Sequence, residues 1–201
     1  GTVEGKGTAC RAPTVLTMRY NPEIHHRRSI RLKNFDYTAT GAYFVTLCAF
    51  DRECLFGEIS NGEMKLNEFG YIVNGCWMAT TDHFPNTAMD AFVVMPNHVH
   101  GIIFIQTSDK MTVSEGTACR APTFESFGAP VAGSMATIVR SFKSAATKRI
   151  NQIRNNPGTT VWQRGFFEHV IRNEKELNTI RCYIEENPTN WCQDTNNPAN
   201  P

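Results

Sequence analysis

Ala91-Phe92-Val93-Val94-Met95-Pro96-Asn97-His98-Val99-His100-Gly101-Ile102-Ile103-Phe104-Ile105 reads as two strands joined by a tight turn at Pro96-Asn97. Proline cannot donate to the ladder of a central strand, so the chain breaks there. β-Branched and aromatic residues on both sides suit a sheet core. Side chains alternate along a strand, so His98 and His100 project side by side, near a strand end and close to solvent. Two imidazoles held that way can share one divalent ion. A hydrogen-bonded pair of core histidines is the plainer alternative, and the two residues alone favour it.

Outward from this hairpin, Gly41 to Phe50 is apolar and β-rich, a second core strand. Leu55–Ile59 and Glu63–Leu66 flank Asn61-Gly62, the signature of a tight hairpin. From Asn67 to about Thr80 the apolar residues fall at helical spacing (Phe69, Ile72, Val73, Trp77). Residues 106–133 are rich in Ser, Thr, Gly and Pro and read as a surface insertion. Ser134 to about Ile153 is a basic amphipathic helix with Ile138, Phe142, Ala145, Ala146 and Ile150 inward. Val161 to Arg164 is a short extended piece, and Asn173 caps a last helix that runs to about Glu186, before Pro188.

The chain of 201 residues is long enough for one well-buried domain, and 41% hydrophobic residues with 13 Phe supply its core. No apolar run approaches a membrane span and no secretory pattern opens the chain, so a cytoplasmic protein, nucleoid-associated if bacterial, without a membrane partner is expected. The 7 Cys are scattered with no Cys-x-x-Cys, which fits a reducing compartment better than disulfides or a zinc site. A net charge of +1 does not announce a nucleic-acid binder. The cations are nonetheless clustered. Arg27, Arg28, Arg31 and Lys33 form one group; Arg140, Lys143, Lys148, Arg149 and Arg154 form another along the basic helix. Such patches can bind phosphates, or can be solvated faces. Trp162, Gln163 and Arg164 offer stacking and hydrogen bonds to unpaired bases, with a core Trp as the alternative.

The octapeptide Gly7-Thr8-Ala9-Cys10-Arg11-Ala12-Pro13-Thr14 recurs unchanged from Gly116 to Thr123. It is too short and too few in copy for a solenoid unit. Gly-Thr-Ala-Cys-Arg-Ala can be encoded by GGC ACG GCA TGC CGT GCC, which is its own reverse complement. We therefore expect both copies to be translated palindromic DNA elements lodged in tolerant positions, one in a tail of residues 1–17 and one in the insertion. Met18 is then a candidate natural start.

On the last helix Tyr183 and Asn187 lie four residues apart and share a face. Leu177, Ile180 and Ile184 form an adjacent docking stripe, which holds Tyr183 at the helix edge. His169 has no partner at ligand spacing and reads as structural.

Together these stretches resemble a known family. Val94-Met95-Pro96-Asn97 followed by His98-Val99-His100 resembles the signature of the HUH single-tyrosine transposases. Tyr183-Ile184-Glu185-Glu186-Asn187-Pro188 followed by Trp191 is similar to the tyrosine motif of the REP-associated tyrosine transposases. Weaker matches fall at Arg27–Leu32, Gly41–Thr46, Arg52–Gly57 and Trp162–Arg164. The resemblance implies an α+β domain over residues 18–192, a central antiparallel sheet of ferredoxin-like HUH type with helices packed on it, and a C-terminal tail over 193–201. It implies that His98 and His100 bind the metal, Asn187 supplies a polar third ligand and Tyr183 is the nucleophile. Mg²⁺ or Mn²⁺ is the implied cofactor, and single-stranded DNA with hairpin-forming palindromic repeats the implied partner. Tyr183 would cut and rejoin that strand through a 5′-phosphotyrosyl intermediate with a 3′-hydroxyl leaving, in a monomer or a homodimer. A phenol with pKa near 10 is only about one part in a thousand ionised at neutral pH, so a metal that offsets charge on the phosphate is physically apt. The rivals are a protein that binds such hairpins without cutting them and a metal phosphohydrolase that uses water.

Overall fold

The computed structural model describes residues 39–106 and 131–200. Arg27, Arg28, Arg31, Lys33, both octapeptides and most of the insertion lie outside the described residues.

Four strands make the main sheet: β1 (Gly41–Cys48), β4 (Thr87–Val94), β5 (His98–Ile105) and β6 (Phe167–Ile171). Their order is β4-β5-β1-β6 and every pairing is antiparallel. Helices α1 (Glu68–Met78), with the short α2 (Thr80–His83), and α3 (Met135–Ile153) make the two crossovers, which is the split βαββαβ topology of a ferredoxin-like sheet. A separate ribbon of β2 (Gly57–Ser60) and β3 (Glu63–Leu66) turns at Asn61-Gly62, both with positive φ, as the Asn-Gly signal requires. The expected α+β fold is what the chain adopts. β6 was not anticipated, and the first strand ends at Cys48, after which Phe50–Arg52 forms a single 3₁₀ turn.

Period-two alternation sorts the two faces of the sheet. Tyr43, Val45, Leu47, Val99 and Ile103 join Trp77 of α1 and Ile138, Phe142, Ala146 and Ile150 of α3 in the larger core. Trp77 lies flat on Phe92, ring centroids 4.4 Å apart, and edge-on to Phe142 at 5.5 Å. Gly101 allows this contact, because a Cβ there would enter the Trp77 ring. On the other face Ala42, Phe44 and Ile102 receive Ile180 and Ile184 of α4 (Glu174–Glu186). Asn173 caps α4 by accepting from the Glu176 N–H. Arg181 pairs with Asp90 at the irregular stretch of β4, which ties α4 to the sheet edge.

Candidate metal centre and nucleophile

His98 and His100 stand on the α4 face, opposite Cys48 and Thr46 of β1. Both are buried, against the expectation of a solvent-near position. The reason lies after α4, where the chain turns at Trp191–Gln193 and lays Asp194 beside them. The Trp191 ring sits 6.0 Å from that of His98, and Asp194 Oδ2 lies 3.6 Å from His98 Nε2. Residues 194–196 are therefore part of the site rather than a detached tail. Asn97 Nδ2 donates to the Asn196 carbonyl (2.7 Å) and Arg52 to that of Thr195 (3.2 Å), fastening the segment to the turn before β5.

The hydrogen bonds fix a proton order. Asn97 Nδ2 has two carbonyl acceptors, Arg52 and Asn196, so its Oδ1 faces His98 Nδ1 at 2.9 Å and must accept. His98 Nε2 is then a lone pair. It lies 3.0 Å from His100 Nε2, which donates to it in the metal-free protein. His100 Nδ1 in turn accepts from the Thr46 hydroxyl at 2.8 Å. Burial pushes the His98 pKa down to about 4, with Asp194 opposing and Arg52 adding to the shift. Burial, then His98, holds His100 well below the usual histidine range. Both rings are neutral at physiological pH, the form in which imidazole binds metals.

Tyr183 reaches this pair from α4. Its hydroxyl lies 3.3 Å from His100 Nε2, and its ring packs against His100 and Phe44, centroids 5.2 and 6.0 Å away. Burial and then Asp194 raise its pKa, while a hydrogen bond from Asn187 lowers it. Asn187 caps α4, is buried, and has an Oδ1 with no hydrogen-bond partner. Asp194 Oδ2 is likewise buried and unpartnered. Each such acceptor costs on the order of 1–3 kcal/mol to bury unpaired.

These groups fit a divalent ion. His98, His100 and Asp194 place one donor atom each within 4.8 Å of one another. Two nitrogens about 2.1 Å from one ion and at right angles would stand about 3.0 Å apart, against about 3.4 Å for a tetrahedral angle. The 3.0 Å separation, closed by the shared proton, brings both nitrogens within reach of one ion, and the unpartnered oxygens of Asn187 and Asp194 are hard donors. Asp194 was missed from sequence. Its neighbourhood is polar and aperiodic, and no local spacing linked it to His98.

The basic residues divide. Arg140, Lys143, Lys148, Gln163 and Arg164 line one groove of about 1010 Å³ between α3 and the loop before β6. Lys143 is tied down, its ammonium donating to the Gln163 carbonyl (2.9 Å) and to that of Gly165. Burial pushes its pKa down to about 8. Arg149 does not share this face; it points toward Cys76 of α1. Trp162 is core, packed on Phe56 and Phe142 with centroids 5.1 and 5.6 Å away, so it offers no ring to a base. His169 holds Glu176 of α4 at 2.8 Å, a structural contact.

No protein-family model matches the chain. It is 42% identical over 179 residues to an uncharacterised protein of Haemophilus influenzae, covering 89% of this chain and 97% of that one. It is 26% identical over 157 residues to a candidate REP-associated tyrosine transposase of the same organism, covering 76% of this chain and 73% of the relative. A solved REP-associated tyrosine transposase bound to a REP hairpin shares the fold at a TM-score of 0.53 and 19% identity, over 82% of this chain and 74% of the other. Among the described residues no helix is long and apolar enough to cross a membrane.

Proposed function

We propose that the chain is a REP-associated tyrosine transposase, as its 26% identity to a candidate member and its shared fold support, and that it cuts and rejoins single-stranded DNA at hairpin-forming palindromic repeats. The observation that carries this reading is the meeting of the Tyr183 hydroxyl, 3.3 Å from His100 Nε2, with a histidine pair whose Nε2 atoms converge. His98, His100 and the free oxygen of Asn187 would hold Mg²⁺ or Mn²⁺, with the Asp194 carboxylate as a fourth candidate donor. Such an ion supplies charge stabilisation at the scissile phosphate.

Tyr183 Oη attacks phosphorus, the phosphorus–3′-oxygen bond breaks, and the strand leaves with a 3′-hydroxyl. A 5′-phosphotyrosine remains. Attack by a 3′-hydroxyl on that ester restores a phosphodiester and the free phenol, so no other energy source is needed. The Tyr183 phenol, protonated at neutral pH like any phenol, is held still further from phenolate by burial and then by Asp194. Asn187 works against that penalty by donating to the phenol oxygen, and so positions and partly activates the nucleophile. Packing on Phe44 and His100 leaves the ring little freedom, which favours an in-line approach.

The test is incubation with a 5′-labelled and a 3′-labelled single-stranded hairpin plus Mn²⁺, followed by denaturing electrophoresis. A protein–DNA adduct that Tyr183→Phe abolishes is expected. Binding without an adduct would make the protein a hairpin-binding module, and cleavage without one a phosphohydrolase.

A further inference from the structure

The turn between β4 and β5 holds its shape through backbone bonds. Met95 N–H donates to the His98 carbonyl (2.8 Å), Phe56 N–H to that of Pro96 (2.9 Å) and Ala49 N–H to the backbone carbonyl of Asn97 (2.7 Å). The Asn97 side chain takes no part in these. It is nonetheless 0% exposed, and its own bonds lead away from the turn. Nδ2 uses both protons, one on the Arg52 carbonyl (3.0 Å) and one on the Asn196 carbonyl (2.7 Å), while Oδ1 accepts from His98 Nδ1 (2.9 Å).

Each of the three bonds serves the histidine site. The bond from His98 keeps the ring proton on Nδ1 and leaves Nε2 as a lone pair, the tautomer that a metal ligand needs. The bond to Asn196 holds the segment carrying Asp194, whose Oδ2 lies 3.6 Å from His98 Nε2. The bond to Arg52 fixes the turn after β1, from which the Arg52 side chain reaches the Thr195 carbonyl of that same segment (3.2 Å). An amide suits all three at once. Aspartate would turn lone pairs toward two carbonyls, and a serine hydroxyl has one proton for two acceptors. His100 has no comparable setting. Its Nε2 carries the proton shared with His98, and its Nδ1 faces the Thr46 hydroxyl, which can donate or accept. His98 is thus preset as a ligand, whereas His100 must change tautomer to become one.

We propose that Asn97 is the positioning residue of the metal centre: one buried amide fixes His98 in its ligand tautomer and docks the segment that brings Asp194. With Nε2 bound, the His98 Nδ1–H is a stronger donor and polarises the amide, so its two N–H groups hold the Arg52 and Asn196 carbonyls more tightly. Site occupancy and docking of residues 194–196 are coupled through this side chain. The proposal rests on the metal reading above and says what assembles its ligands.

The test uses the full chain. Ring-nitrogen NMR of the metal-free wild type should show His98 protonated on Nδ1; a ring protonated on Nε2 would overturn the proposal without any variant. In Mn²⁺ calorimetry Asn97→Ala should bind about 10–100-fold more weakly than wild type, the size of a lost outer partner. Asn97→Asp keeps the acceptor for His98 and loses both donors. It should retain the Nδ1–H tautomer yet release the segment, so that its Asn196 amide exchanges hydrogen as fast as that of Asn97→Ala. Mn²⁺ should slow exchange at that amide more in the wild type than in either variant, and equal slowing in all three would overturn the coupling. A Mn²⁺ affinity within twofold of wild type in Asn97→Ala, whatever its urea midpoint, would reduce the residue to a stability contact and overturn the proposal. No Mn²⁺ binding by the wild type would sink the metal reading together with it; binding that Asn97→Ala leaves unchanged sinks only the role of Asn97.

Discussion

Replacing Thr46 by Val should damage metal binding while leaving the fold in place. Val keeps the β-branch that suits strand β1 and removes only the hydroxyl 2.8 Å from His100 Nδ1. In the metal-free protein that hydroxyl donates to Nδ1, so its loss strands a buried acceptor at a cost of about 1–2 kcal/mol. A metal on His100 Nε2 forces the ring proton to Nδ1, where Thr46 Oγ1 becomes the acceptor. Val would leave that N–H unpaired in the metal-bound state. Outer partners of this kind are worth about 10–100-fold in affinity, or about 1.4–2.7 kcal/mol. The stability cost is read by urea unfolding in chelator and the affinity cost by Mn²⁺ calorimetry. Thr46→Ser, which restores the oxygen, should recover most of both. A Mn²⁺ affinity within twofold of wild type in Thr46→Val would refute the claim that the outer partner of His100 orders the ligand set.

In chelator, acid should destabilise the protein. The folded His98 pKa of about 4 lies below the unfolded value near 6.5, so its contribution is full above about pH 6.5 and fades toward pH 4. The loss should be on the order of 3 kcal/mol, and a flat urea midpoint between pH 7 and 4.5 would exclude it. Tyr183→Phe should bind a labelled hairpin nearly as wild type and form no adduct; an adduct with Phe would move the nucleophile elsewhere. Gly101→Ala should cost about 1–3 kcal/mol or more, because a Cβ would enter the Trp77 ring, and a change below 0.5 kcal/mol in calorimetry would contradict that packing. Asn187→Ala should weaken Mn²⁺ binding less than His98→Ala does, since an amide oxygen is the poorer ligand; the reverse order in calorimetry would remove Asn187 from the ligand set.

What could be read from sequence was what local chemistry decides. The break at Pro96-Asn97, the Asn-Gly turn, the helix starts near Asn67 and Ser134, the Asn173 cap and the apolar stripes of three helices all matched elements within a few residues. β6 escaped because Glu168 and His169 interrupt its apolar character, and its pairing to β1 is a tertiary event. Trp162 and Phe50 show the limit for single aromatics. Type alone left the tryptophan open between a base-stacking ring and the core. One bridge to Ala49 turns Trp162 into the core, and the turn that follows leaves Phe50 in water.

The C-terminal segment was the largest omission, and it changes the electrostatics of the site. Without it, two neutral histidines and a phenol would face solvent and could equally be a structural cluster. With it, a carboxylate is buried against them, its Oδ1 accepting from the Asn196 N–H and its Oδ2 from no one. A lone buried carboxylate should draw a proton onto His98, yet burial outweighs it and keeps the ring neutral. The Asn187 oxygen adds a second unpaired acceptor. Acceptors therefore outnumber donors around a single small volume, an arrangement that costs several kcal/mol if nothing answers it. A hydrogen-bonded histidine pair does not resolve that excess, because its one shared proton is already used between His98 and His100. A divalent cation would resolve it at His98, His100 and Asp194, whose donor atoms lie within 4.8 Å of one another, beside the hydroxyl that the proposed chemistry needs.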